Sequence, residues 1–148
     1  TVTIPFTSAA NMQLVDQQRT LSVSLAQEMM EEIISKPFAD PQGDTDPGPD
    51  AGESSRDLFD NIDDYHGYTE PPGSIADFDG NVLTEPEAAG LSRHVTTAYV
   101  YLAGQDVSAD PNVILITVEV RYKDVTVAGL SRLVYSPSQA TALPGPWD

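Results

Sequence analysis

The chain has 148 residues, 40% of them hydrophobic, no cysteine, and 23 acidic against 7 basic side chains for a formal net charge of −16. That size and apolar content predict one domain with a modest core over residues 1–148. The missing cysteines exclude disulfides and thiolate zinc sites. The acidic balance argues against nucleic acid, whose binding needs clustered Lys and Arg to release counterions, and against docking on an anionic membrane surface. No run of about 18 apolar residues occurs, so neither a spanning helix nor a retained secretory signal is predicted.

The first element, within residues 1–38, is a long helix. Ala, Leu, Gln, Glu and Met dominate between Ala9 and Ser35, and no Gly or Pro interrupts them. Leu14, Leu21, Leu25, Met29 and Ile33 fall on one stripe, while Val15, Val23, Met30 and Ile34 widen the apolar arc beyond the roughly 100° of a simple surface helix. Two readings follow: a two-sided core helix, or a helix that packs on its own domain and on a partner as well. Pro37 disfavours helix at the residue before it and sets the end at Ser35 or Lys36.

Residues 39–93 are irregular and acidic. Ala39 to Pro72 is crowded with Asp, Gly and Pro and reads as a long solvated connection. Loops of this length are usually functional or ordered by something, such as a sheet contact, a metal or a neighbouring subunit. A short helical turn is expected near Ser54 to Phe59, with Leu58, Phe59 and Ile62 anchoring it to the core. Strands come next, within residues 94–135: His94 to Leu102, Asn112 to Tyr122 with one buried face, and Val125 to Tyr135. Lys123 and Asp124 form the tight connection of a hairpin. The Pro-bearing tail 136–148, with Trp147, cannot continue a central strand. A helix stripe buried on the apolar face of an antiparallel meander gives an α+β fold.

No GxSxG, HExxH or Walker sequence occurs, and only His66 and His94 are available as imidazole bases. The chain is therefore read as non-enzymatic, with no catalytic residue assigned. Asp60, Asp63 and Asp64 are the candidate metal ligands; the competing reading is a solvated acidic loop with Tyr65 and His66 packed against the sheet. Calcium is the candidate cation and otherwise no cofactor is expected, because a hard ion takes six to eight oxygens and the loop also supplies Asp40, Asp44, Asp46, Asp50 and Glu53. The EF-hand spacing is absent.

Two runs resemble a known family. Leu25 to Phe38 is similar to the helix end of type IV pilin-like proteins, LAQ-x-x-x-EEI-x-x-x-PF, and Arg56 to Tyr68 resembles their R-x-x-F-D-x-x-D-D-Y-H-G-W/Y run, best matched by minor pilins of the MSHA type. The resemblance implies a helix-plus-sheet subunit that stacks with other pilin subunits through its helix. It implies an inner-membrane-anchored precursor and then a periplasmic or cell-surface filament of a type IV pilus or type II secretion-like system. The chain opens on Thr1 without the prepilin cleavage motif, the glutamate near the mature start or the apolar half of the helix, so it is expected to be a domain truncated ahead of Thr1. The absence of the cysteine pair found in many major pilins makes the resemblance favour a minor pilin or pseudopilin. The expected assembly interface is Leu14, Leu21, Leu25, Met29, Met30 and Ile33. The alternative is an extracellular adhesin or a glycan- or protein-binding module, with calcium as a candidate stabiliser, that uses the sheet or the Tyr65 to Tyr68 loop and would show Tyr65, Tyr68 and Trp147 exposed in one patch.

Overall fold

The computed structural model describes residues 3–107 and 110–137, and side chains among them from Met12 onward. Trp147 and the tail from residue 138 lie outside the described residues. Helix α1 spans Thr3–Ile34. Strands β1 (Thr69–Glu70), β2 (Leu91–Val100), β3 (Val113–Tyr122) and β4 (Val125–Tyr135) form one antiparallel sheet in the order β1-β2-β3-β4. The helix packs on the sheet, an α+β arrangement.

Helix α1 begins five residues before the expected Ser8. Pro5 is no obstacle there, since the first backbone N–H groups of a helix have no intrahelical acceptor. At the other end the last turn tightens: the Ser35 N–H is shared between the Glu31 and Glu32 carbonyls, both at 3.2 Å, and the Lys36 N–H reaches the Ile33 carbonyl at 3.0 Å. Pro37 has no N–H to continue the ladder, and its own carbonyl accepts from the Ile62 N–H at 3.1 Å.

Three strands were expected and the described residues hold four. Strand β4 has its expected limits, β3 starts one residue later, at Val113, and β2 is shifted toward the N-terminus, beginning at Leu91. Alternation was strong in β3, and Ile114, Ile116, Val118 and Val120 are all fully buried. Lys123 and Asp124 adopt φ of 48° and 64°, the left-handed pair that a two-residue hairpin turn needs to match strand twist. Short 3-10 turns at Arg56–Leu58, Asp63–Tyr65 and Pro86–Ala88 occupy the irregular segment. Phe59 and Ile62 anchor it as expected, but Leu58 is 47% exposed and anchors nothing.

The described chain forms two compact units, and α1 and strands β2 to β4 each contribute to both. One unit takes α1 up to Met29, Thr69–His94 and Val118–Leu130. Its core holds Leu25, Met29, Leu91, Val118 and Val120, and also Arg93, which is fully buried. The Arg93 guanidinium donates through Nε to Glu70 Oε2, through Nη1 to the Leu25 carbonyl of α1 at 3.1 Å, and through Nη2 to the Ala76 carbonyl at 2.7 Å. Glu28 Oε1 lies 3.7 Å from Nη1. Glu70 Oε1 accepts the Ala76 N–H at 3.2 Å. One arginine thus ties helix, strand and loop together, and it sets the register of β1, in which Glu70 faces Arg93 and Thr69 faces His94.

Gly90, at the entry to β2, has φ +81°, and a Cβ there would stand 2.8 Å from Tyr122 Cε2. Gly90→Ala combines left-handed backbone strain with displacement of the Tyr122 ring. We expect a loss of about 2 kcal/mol in urea unfolding, whereas Gly73→Ala, which meets nothing within 4 Å, carries the backbone strain alone.

The second unit takes Met30–Tyr68, Val95–Thr117 and the chain from Ser131. Its core combines Ile33, Ile62, Val95, Ile114 and Ile116 with an edge-to-face aromatic group: Phe59 to Tyr65 at 5.0 Å and Phe59 to Tyr68 at 5.8 Å between ring centroids. It too has an ion pair, part-buried. Arg56 Nε donates to Glu32 Oε1 at 2.8 Å, and the Tyr65 hydroxyl donates to the same oxygen at 2.7 Å.

Candidate assembly surface and acidic loop

Steps of three and four residues along α1 trace one line: Val15, Gln18, Ser22, Leu25, Met29 and Ile33. From Ser22 onward every member is buried, with Leu25 at 2% and Met29 and Ile33 at 0% exposure. Toward the N-terminus the same line is uncovered: Gln18 is half-buried and Val15 is 46% exposed, next to Leu14 at 45% and Met12 at 69%. Of the six residues expected at an assembly interface, Leu25, Met29, Met30 and Ile33 are therefore core residues, Leu21 is half-buried and Leu14 is exposed. Sequence periodicity cannot separate these groups, because a core and a partner surface use the same apolar residues at the same spacing. Among the described side chains, the exposed large apolar residues of this helix are Met12, Leu14, Val15 and Val23.

The acidic connection is built from side-chain caps. Asp40 accepts the Gln42 N–H at 2.8 Å and the Asp44 N–H, and Asp44 accepts from Asp46 N at 2.9 Å and Thr45 N at 2.6 Å. The backbone N–H groups of Asp46 and Thr45 hold the Asp44 carboxyl below its usual range. Asp50 goes the other way: burial, then the charges of Asp40 and Asp44, push it up to about 6. Burial likewise raises Glu53.

Glu53, Asp60 and Asp64 each bring a carboxylate oxygen within 4.8 Å of the others. Asp64 Oδ2 accepts from the Asp60 and Asn61 N–H groups at 2.8 and 2.9 Å, and Asp60 Oδ2 accepts from Gln42 Nε2 at 2.9 Å. Asp60 Oδ1 is buried and, among the described residues, has no hydrogen-bond partner. The expected trio of Asp60, Asp63 and Asp64 is thus brought together only in part. Asp63 Oδ2 accepts from the Tyr99 hydroxyl at 2.7 Å, and Glu53 takes its place in the acidic group. Burial raises both Asp63 and Tyr99 from their usual values. Carboxylate oxygens are hard donors, the kind that a hard cation such as calcium takes and a soft metal does not.

The aromatic patch expected of a binding module is not on the surface as a whole. Tyr65 is fully buried, and burial followed by the Glu32 contact raises its hydroxyl above the usual value. Each histidine meets a neighbour: His66 Nδ1 lies 2.7 Å from the Thr97 carbonyl oxygen, and His94 Nε2 lies 2.8 Å from Ser92 Oγ. Burial, then Arg121, lowers His94 below its usual value. Among the described residues no helix is long and apolar enough to cross a membrane. Comparison with protein-family models, with curated proteins and with solved structures finds no match for this chain.

Proposed function

We propose that the chain is a non-enzymatic subunit domain of a type IV pilin-like filament, of the minor-pilin or pseudopilin kind, and that it joins other pilin-like subunits through the N-terminal half of α1. The observation that carries this reading is the change along α1 from covered apolar residues at Leu25, Met29 and Ile33 to exposed ones at Met12, Leu14 and Val15. The two pilin-like runs and the order of helix, acidic loop and sheet support it. The proposal places the protein outside the cytoplasm, on a precursor anchored in the inner membrane. Epitope-tagged full-length protein is expected in the filament fraction sheared from cells or trapped in the periplasm with other pilins. Recovery only as a free secreted monomer would overturn the reading in favour of an extracellular binding module.

A second part of the proposal concerns the loop. We read Glu53, Asp60 and Asp64 as residues that would hold a calcium ion, because Asp60 Oδ1 is buried without a donor while Asp50 and Glu53 resist ionisation beside other carboxylates. The ion would neutralise the crowded carboxylates and order the connection, with no chemical step assigned to it. Millimolar calcium is expected to raise the melting midpoint, since a ligand of the native state alone must stabilise it. The sign with pH follows from Asp50. A folded pKa raised to about 6 means that stability is lost as pH rises from about 4 through 6, so the calcium effect grows over that window. Equal midpoints with calcium and with chelator at pH 7 would remove this part.

A further inference from the structure

A groove of about 840 Å³ runs beside α1 in the unit that holds the helix's N-terminal half. Its helical wall is formed by residues at three- and four-residue spacing from Met12 to Ser24, a reach of about 18 Å at 1.5 Å per residue. Met12 and Leu21 give it apolar surface. Asp16 from the helix, with Glu85 and Glu87 from the segment around the Pro86–Ala88 turn, give it three carboxylates, and no Lys or Arg lines it. Among the described residues none of these three carboxylates has an ion-pair partner.

We infer that this groove takes a helical segment of a different subunit, one whose apolar stripe is flanked by Lys or Arg. The inference rests on the filament reading and names the chemistry of the partner. An elongated apolar channel about three helical turns long is the shape that an amphipathic helix fills. The rim selects its sign: like-charge contacts disfavour an acidic partner, and opposite charges speed encounter and fix register.

A second copy of this chain does not meet the requirement. It carries 23 acidic and 7 basic residues. Of the seven, Arg56, Arg93 and Arg121 are paired with glutamates, Lys36 donates to the Phe59 carbonyl, and Lys123 stands over the Tyr122 ring; the exposed Arg19 and Arg132 remain, and α1 sets Arg19 alone against Asp16, Glu28, Glu31 and Glu32. Bringing two such surfaces together sets carboxylates against carboxylates. The groove therefore favours heterotypic over homotypic contact.

The test titrates the 148-residue chain with a labelled 18-residue helical peptide bearing a Leu stripe flanked by Lys, and with its Glu-flanked counterpart, by fluorescence anisotropy. The Lys peptide is expected to bind, the Glu peptide at least tenfold more weakly, and binding should weaken at 300 mM salt. The triple variant Asp16→Asn, Glu85→Gln, Glu87→Gln is expected to lose at least tenfold in affinity. A control triple of equal charge change outside the groove, Asp46→Asn, Asp57→Asn, Asp79→Asn, should stay within twofold. Thr20→Arg, which puts a cation and bulk into the groove, serves if the first triple melts early, and it too should lose binding. Equal losses in both triples would show attraction to net charge only and overturn the inference, as would equal binding of the Glu peptide or a homodimer in ultracentrifugation that Thr20→Arg disrupts. Absence from the filament fraction with peptide binding intact would count against the filament reading and not against the groove.

Discussion

Arg93→Met is expected to destabilise the protein by about 3–5 kcal/mol, a large part of the stability of a domain this size. The guanidinium is fully buried, and Glu70, its closest partner, is 3% exposed. Substitution leaves the Glu70 carboxylate in the interior without its counter-charge, and it strips a donor from the Leu25 and Ala76 carbonyls together. Much of that cost is the orphaned charge and not the net worth of the pair. Arg93→Met combined with Glu70→Leu should therefore recover a large part of the loss, because apolar replacement of a whole buried pair is often near neutral. Glu28 is 38% exposed at its side chain, but its Oε1, 3.7 Å from Arg93 Nη1, is buried without a hydrogen-bond partner among the described residues and loses the nearby cation in either variant. Urea unfolding of the wild type, both single variants and the double variant closes the cycle. If Arg93→Met costs less than about 1 kcal/mol, the arginine is not what joins α1 to β1 and the Ala76 loop.

The same pair shows why part of the fold was hidden in the sequence. Strands β3 and β4 and their turn were legible, because alternation over ten residues and a two-residue connection are local signals. Strand β1 was not, because Thr69–Glu70 is two residues long and is held by an ion pair to a residue 23 positions away. No short window contains that information. The acidic loop was legible as a region and illegible in detail: Asp63 and Asp64 are adjacent in sequence, yet one meets Tyr99 while the other joins Glu53 and Asp60. The Asp63–Tyr65 turn sends neighbouring side chains in different directions. The body of the helix was legible, although it runs Thr3–Ile34 where Ser8 to Ser35 or Lys36 was expected, while the point at which its apolar side chains pass from covered to open depends on where the rest of the unit ends.

That point of passage makes two substitutions on one line diverge. Met29→Asp is expected to abolish stable folding, at a cost above about 4 kcal/mol, because it removes a fully buried apolar side chain and buries a carboxylate in its place. Val15→Asp, four steps back along the line, replaces a residue that is 46% exposed and should change unfolding free energy by no more than about 0.5 kcal/mol. Helix propensity does not confuse the comparison, since Val and Asp rank close together in helix interiors. In the full-length protein the order of interest changes: Val15→Asp, folded and expressed, is expected to vanish from the filament fraction, because a charge then occupies the surface that neighbours would desolvate. Urea melts of the isolated domain and immunoblots of the sheared fraction read the two effects separately. Normal incorporation of Val15→Asp, at normal stability, would mean that subunits meet elsewhere and that the open end of the apolar line has no part in assembly.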